Sequence, residues 1–230
     1  METKLNLKPI DFKFSQYLSQ GFEILKKDFG KFFLGFLFTI IMSIIPFCGL
    51  MALGNFYKFS RKVFKSEPAE ASEIFNFDDF MPYFILQLII IGAILVLEIP
   101  IIIVSVFGSQ LGDSFSSLAF LIPIYMIGLL VFLFYFLIKG FYIPALISVA
   151  RVKDLKTAWN MSKEMTNGIG WNILLFVIVV SFLSQLGIIL CGIGIFLTLP
   201  YNYVTQFLAY EDAMNQITYD EIKEIGSEQI

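Results

Sequence analysis

The sequence contains no histidine and only two cysteines, Cys48 and Cys191. Without histidine there is no imidazole for acid/base catalysis or for metal binding, and two cysteines cannot build a disulfide framework. Charge is also scarce, at 15% of the residues against about 25% in soluble proteins. The net charge of −3 argues against nucleic-acid binding. Phosphate loops, metal-ligand spacings and paired catalytic carboxylates are not found, so we expect no enzyme and no cofactor.

Long apolar stretches are present instead. The chain is 57% hydrophobic and 17% aromatic, with a mean hydropathy of +0.79, and one soluble core could not bury so many apolar side chains. A membrane-spanning helix needs about 20 apolar residues. Four stretches are long enough: residues 31–54, 81–107, 118–150 and 171–210. The sequence therefore predicts an all-α membrane protein.

The first apolar stretch is predicted to form a hairpin. A single crossing would place the cations between Lys58 and Lys65 opposite the basic amino-terminal segment, against the positive-inside bias. A turn at Cys48-Gly49 avoids this conflict by returning the chain to the side on which it entered. The returning helix is polar at its inner end, so Lys58 and Arg61 are expected to snorkel to the lipid headgroups.

The fourth stretch is about twice the length of one span and carries Cys191-Gly192 at its middle, which predicts a second hairpin. The chain then forms a polytopic bundle of six transmembrane helices with both termini in the cytoplasm. All 16 Lys and Arg residues lie on the cytoplasmic side of that arrangement. Within one integral membrane domain, the predicted segments are a cytoplasmic amphipathic segment (1–30), hairpin one (31–64), a central helix pair (81–150), an amphipathic surface helix (151–170), hairpin two (171–210) and an acidic cytoplasmic tail (211–230).

Both hairpins follow an amphipathic segment. Tyr17, Gly21 and Leu25 recur at helical spacing in the first, as do Ala158 and Ser162 in the second. The first segment is predicted to lie on the membrane surface or to pack as a soluble helix on a cytoplasmic loop. Asn167-Gly168 predicts the end of the second helix.

The two halves share a pattern of small residues. Gly21-Phe22 aligns with Ala158-Trp159, Gly30 with Gly170, and Cys48-Gly49 with Cys191-Gly192. Both copies would begin in the cytoplasm, which indicates a parallel internal repeat. Coincidence is the alternative, because the alignment contains few identities.

Residues 142–210 combine Pro144-Ala145-Leu146, Gly168, the Cys191-Gly192 turn and Pro200. This pattern resembles a superfamily of multi-pass bacterial inner-membrane proteins of unknown function, which includes YciC-like proteins and the membrane domain fused to some glycerophosphodiester phosphodiesterases. The resemblance covers about a third of the chain. It implies a six-helix domain in the bacterial cytoplasmic membrane, and without histidine the phosphodiesterase chemistry cannot be inherited.

Glu98 is the first candidate for a functional residue, because an ionisable group inside a transmembrane segment is commonly functional. Its place near the end of its helix and close to Pro100 favours instead a position at the outer headgroups. Gln185 belongs to a polar stripe on the fifth predicted helix, and Asn202 and Gln206 to one on the sixth. These residues form a candidate intramembrane polar site, although polar stripes also join helices by hydrogen bonds. Cys48, Gly49, Cys191 and Gly192 are candidate structural turns.

Three classes of function follow. We expect a non-enzymatic scaffold or accessory subunit of a membrane complex, because reactive groups are lacking. Its partners would be membrane lipids and either another protein or a second copy of the chain. The alternatives are a transporter or channel with a polar site near Glu98, and an accessory domain for lipid or glycerophosphodiester metabolism.

Overall fold

The structure, a computed structural model, describes residues 9–107, 121–189 and 194–227, and every regular element in these ranges is helical. The helices are α1 (Phe14–Lys27), α2 (Phe29–Ser43), α3 (Gly49–Phe64), α4 (Phe80–Phe107), α5 (Leu121–Lys139), α6 (Ile143–Ser148), α7 (Leu155–Met165), α8 (Gly170–Ile189) and α9 (Ile195–Ser227), with a 3₁₀ helix at Ala71–Phe75. The predicted all-α class is confirmed.

Helices α2 and α3 pack against each other in antiparallel register. Phe32 lies edge-on to Phe59, with ring centroids 5.8 Å apart, and Phe36 packs on Phe56 one turn further along. Gly35 makes room for this contact, since a Cβ there would lie 2.9 Å from the Phe59 ring. The turn between the helices includes Cys48, which is a free and buried thiol.

Three helical segments of the described chain are long and apolar enough to cross a membrane: Phe80–Val106, Leu121–Ser148 and Gly170–Gly187. Helix α2 has 15 residues and α3 has 16, short of the roughly 20 that a span needs. Helix α9 is longer, but polar groups such as Asn202 and Gln206 interrupt its apolar part. These lengths support a membrane protein with three candidate spans. They do not establish the predicted total of six.

Most of the length of α4 and α5 lies outside the packed core, although Tyr83 at the start of α4 is buried in it. None of the residues in their most apolar membrane-length windows is buried. The Tyr125 hydroxyl donates to the Leu97 carbonyl, and Pro100 lies inside α4. Two apolar helices with so little buried surface require lipid or another protein around them.

The core lies among α1, α2, α3, α6, α8 and α9, and its largest buried side chains are aromatic. Phe176 of α8 lies edge-on to Phe12 and Tyr17. At the middle of α1, Gly21 allows close packing on α9, because a Cβ there would lie 2.6 Å from Thr205 Cγ2. Helix α1 thus packs on another helix of the protein through its predicted apolar face, while Phe22 stays 63% exposed.

The acidic segment predicted as a tail continues α9 without a break to Ser227. Its first residues are anchored to the amino-terminal segment: Asp212 accepts from the Tyr17 hydroxyl at 2.6 Å and from Lys13 Nζ at 2.9 Å. Gln216 and Asp11 also exchange hydrogen bonds. The segment predicted as an acidic cytoplasmic tail (211–230) is thus helical as far as Ser227, and its first residues pack on the amino-terminal segment.

Helix α7 ends at Met165, and Gly168 follows with φ +78°. This left-handed conformation favours glycine, so the predicted helix end is confirmed there.

The third apolar stretch is broken at Gly140, between α5 and α6. A Cβ at Gly140 would lie 2.8 Å from the Phe136 carbonyl oxygen.

Candidate functional site

The carboxyl half of α3 carries a line of polar and cationic side chains. Asn55, Lys58, Lys62 and Lys65 follow one another at spacings of three and four residues, which places them along one side of the helix. Their positive charge near the carboxyl end of α3 is also favourable for the helix dipole. Arg61 lies beside this line.

These residues border an open cavity of about 620 Å³. The lining residues are Asn55, Lys58, Arg61, Lys62, Lys65, Glu67, Glu73, Asn76, Asp78, Ser148, Val149 and Arg151. They contain five cations and three carboxylates. Two more carboxylates, Asp79 and Glu211, do not line the cavity but form ion pairs with its cations. Five cations and five carboxylates are then present, so the local charges balance. We call this feature the charged cavity.

Ion pairs hold four of the five cations in place. Lys58 pairs with Asp79, whose side chain is 4% exposed. Lys62 Nζ lies 2.8 and 2.7 Å from the two carboxylate oxygens of Glu73. Lys58 was expected to snorkel to the lipid headgroups, whereas in the structure it forms an ion pair with Asp79. Nothing in the sequence indicates this pair, because no local pattern places Asp79 next to α3.

Glu211 of α9 binds two cations at once. Arg61 Nε lies 3.1 Å from Oε2 and 3.3 Å from Oε1 of Glu211, and Lys65 Nζ lies 3.3 Å from Oε1. The Glu211 side chain is only 5% exposed, and a buried carboxylate needs such partners. Arg61 is therefore also paired within the protein, contrary to the expectation of snorkelling.

Asn55 is 2% exposed and has an unusual hydrogen-bond pattern. Its Nδ2 donates to the carbonyls of Ile74 at 2.9 Å and Asn76 at 2.7 Å. Its Oδ1 is buried and has no hydrogen-bond partner among the described residues. A buried acceptor without a donor is costly, by about 1–3 kcal/mol. Asn55 thus fixes the 3₁₀ helix to α3 through Nδ2, while its Oδ1 stays closed off from the charged cavity.

A hydrogen-bonded hydroxyl pair lies beside Asn55. The Tyr83 and Ser148 hydroxyls are 2.7 Å apart, and Tyr83 also donates to the Pro144 carbonyl at 2.7 Å. Gly54 leaves the space that this pair occupies. Ser148 lines the charged cavity, whereas Tyr83 is fully buried.

Arg151 differs from the other lining cations. It has no carboxylate within 4.0 Å among the residues that the structure covers, and its φ is +59°, rare for a side-chain-bearing residue. Its exposed guanidinium is thus free to bind a carboxylate or phosphate from outside.

The predicted intramembrane polar site is divided in the structure. Asn202 and Gln206 lie together on α9, where Gln206 Nε2 donates to Asn202 Oδ1 at 2.7 Å and Tyr57 donates to Gln206 Oε1 at 3.0 Å. Gln185 is exposed on α8, and Glu98 is half-buried on α4. None of the four lines the charged cavity.

The predicted turns are described only in part. Cys48 and Gly49 lie where α3 begins, whereas Cys191 and Gly192 lie outside the described residues. The cations of α3 and the acidic segment that begins at Glu211 were visible in the sequence, but the pairing of Glu211 with Arg61 and Lys65 was not.

Comparison with known proteins finds no matching family model, no matching curated protein and no matching solved structure.

Proposed function

We propose that the protein is a non-enzymatic multi-pass membrane protein, a scaffold or accessory subunit that binds a partner protein at the charged cavity. The observation that carries this proposal is the exposed Arg151, unpaired among the described residues, in a cavity whose other four cations are already held in ion pairs. Side chains that are already fixed in ion pairs lose little further conformational entropy when a ligand binds.

A polypeptide partner suits the cavity better than a simple anion. The lining cations and carboxylates balance once Asp79 and Glu211 are included, so no strong net field attracts a phosphate. Fixed side chains of both charge signs instead select a partner whose charges are complementary, and they fix the register in which it binds. An acidic side chain of the partner would pair with the exposed Arg151.

The topology that accompanies this proposal has six crossings, with both termini and the charged cavity in the cytoplasm of a bacterial cell. The supporting argument is the positive-inside bias, since all 16 cations then share one side. Because α2 and α3 have 15 and 16 residues, this arrangement requires a locally thinner bilayer around them.

The parallel repeat and the resemblance to the YciC-like superfamily belong to the same proposal. In support of the repeat, α1 precedes the α2–α3 pair as α7 precedes α8 and α9. The aligned residues Gly21 and Ala158 are both buried, as expected if the two amphipathic helices pack through equivalent faces.

Affinity purification in mild detergent tests the function. Arg151→Glu reverses a lining charge, and Lys153→Glu makes the same change at an exposed position that does not line the charged cavity. We expect one protein to co-purify in constant ratio with the wild type and with Lys153→Glu, and to fall at least tenfold with Arg151→Glu. Equal recovery with all three chains, or no companion with the wild type, would contradict the proposal. Thermal unfolding of each variant verifies that it is folded.

A further inference from the structure

An apolar crevice of about 630 Å³ separates α4 from α5 near the ends that approach α7. Leu86 and Ile90 of α4 form one wall, and Phe136 and Leu137 of α5 form the other. Both helices are long and apolar enough to span the membrane, so the crevice opens within the bilayer. Water would be poorly accommodated in so apolar a space.

One polar group stands at the rim of this crevice. Lys156 of α7 is exposed and lines the crevice together with Trp159, whose ring stacks on Phe136 with centroids 5.3 Å apart. Trp side chains favour the membrane interface because they combine an apolar ring with a hydrogen-bond donor. The rim thus lies at the level where lipid headgroups meet acyl chains.

The cations around α7 contrast with those of α3. Lys58, Arg61, Lys62 and Lys65 all have carboxylate partners. In the same described ranges, five cations have no carboxylate within 4.0 Å: Lys139, Arg151, Lys153, Lys156 and Lys163. Thr157 donates from its amide and its hydroxyl to one oxygen of the nearby Asp154 carboxylate, which attracts Lys156 only from beyond 4.0 Å. Helix α7 and its flanks therefore carry five cations against two carboxylates, Asp154 and Glu164, and none of these cations is held in an ion pair within the described part of the chain.

We propose that the α4–α5 crevice binds an anionic phospholipid, with an acyl chain between the helices and the headgroup phosphate on Lys156. Apolar walls, membrane depth and an unpaired cation at the interface together match this one occupant. A zwitterionic lipid would carry a positive group into a region already rich in unpaired cations. A helix from a second copy would fill the apolar walls, but it would leave Lys156 without a partner.

The lipid is tested by reconstituting the full chain into nanodiscs that contain phosphatidylethanolamine and phosphatidylglycerol in a 3:1 ratio. After brief detergent extraction, native mass spectrometry counts the lipids that stay bound. We expect the wild type to retain phosphatidylglycerol at least threefold above its share of the bilayer. Lys156→Gln and Lys156→Glu should remove that enrichment, while Lys27→Glu on α1 provides the charge-matched control.

Steric blocking gives an independent measurement. Leu137→Trp fills the crevice and should lower the total retained lipid at least threefold, whereas Ile127→Trp, at an exposed position elsewhere on the same helix, should not. Equal enrichment in the wild type and the Lys156 variants would overturn the assignment of the headgroup. Unchanged retention in Leu137→Trp would overturn the crevice as the binding site. Cross-linking between two copies through Ile90→Cys, in a chain with both native cysteines replaced and with no lipid retained, would show that a second copy is the occupant.

Discussion

A Cβ built on Gly54 would lie 2.0 Å from the hydroxyl oxygen of Tyr83. It would also lie 2.1 Å from Ser148 Oγ, so the glycine makes room for both buried hydroxyls at once. Helix α3 can approach α4 and α6 this closely only without a side chain at position 54. The contact also positions Asn55, the next residue, in the wall of the charged cavity.

Gly54→Ala should lower the free energy of unfolding by about 3 kcal/mol, because the added methyl group displaces a hydrogen-bonded pair in a packed interior. The measurement is the thermal unfolding midpoint in mild detergent. Gly92→Ala on α4 is the control, since nothing lies within 4 Å of a Cβ there, and alanine is the better helix former. A Gly54→Ala midpoint equal to that of the wild type would mean that α3 and α4 are less tightly packed than described.

The local elements of this fold follow from residue patterns, and the longer contacts do not. The helical spacing of Tyr17, Gly21 and Leu25 predicts the face of α1 that is buried. The same spacing identifies Ala158 and Ser162 on α7. Such patterns act over one or two turns, where the helix itself sets the geometry.

The charged cavity depends instead on residues far apart in the chain. Arg61 and Glu211 are 150 positions apart, and Lys58 and Asp79 are 21 apart. Asp79 precedes α4, which suggests a helix-start residue, yet its side chain pairs with Lys58 on another helix. The unpaired Asn55 Oδ1 could not be predicted either, since it depends on which carbonyls the 3₁₀ helix brings to Nδ2.

Glu211→Gln should destabilise the protein, because Arg61 and Lys65 would then share a neutral partner. Breaking a buried ion pair costs about 3–5 kcal/mol, but the two cations are 39% and 40% exposed, so water offsets part of the loss. We expect a decrease of about 1–2 kcal/mol in the free energy of unfolding. Chemical denaturation in detergent measures it, with Glu23→Gln at an exposed position of α1 as control. A loss no larger than that of the control would show that the pairs add little stability.

Tyr17→Phe should reduce stability in a pH-dependent manner. Burial, and then the hydrogen bond to Asp212, raise the pKa of the Tyr17 phenol above its ordinary value of 10.0. A group whose pKa is raised on folding stabilises the protein fully below its unfolded pKa and loses that contribution as the pH rises toward the folded pKa. The wild type should therefore exceed Tyr17→Phe by about 1–2 kcal/mol at pH 7, and the difference should shrink above pH 10. Unfolding midpoints of both chains at pH 7, 9 and 11 measure this, and a difference that grows with pH would contradict it.

The α2–α3 turn tests the proposed six crossings. Cys48 is buried and is a poor labelling target, whereas Ile44 is 77% exposed at the end of α2. In a chain with Cys48 and Cys191 replaced by alanine, Ile44→Cys should react with an impermeant maleimide applied to spheroplasts. Glu67→Cys, exposed at the other end of the hairpin, should react only after permeabilisation. The 15 residues of α2 reach about 22 Å at 1.5 Å per residue, less than the roughly 30 Å hydrocarbon core. If Ile44→Cys stays unlabelled until detergent is added, the hairpin ends inside the bilayer and the proposal of six spans is wrong.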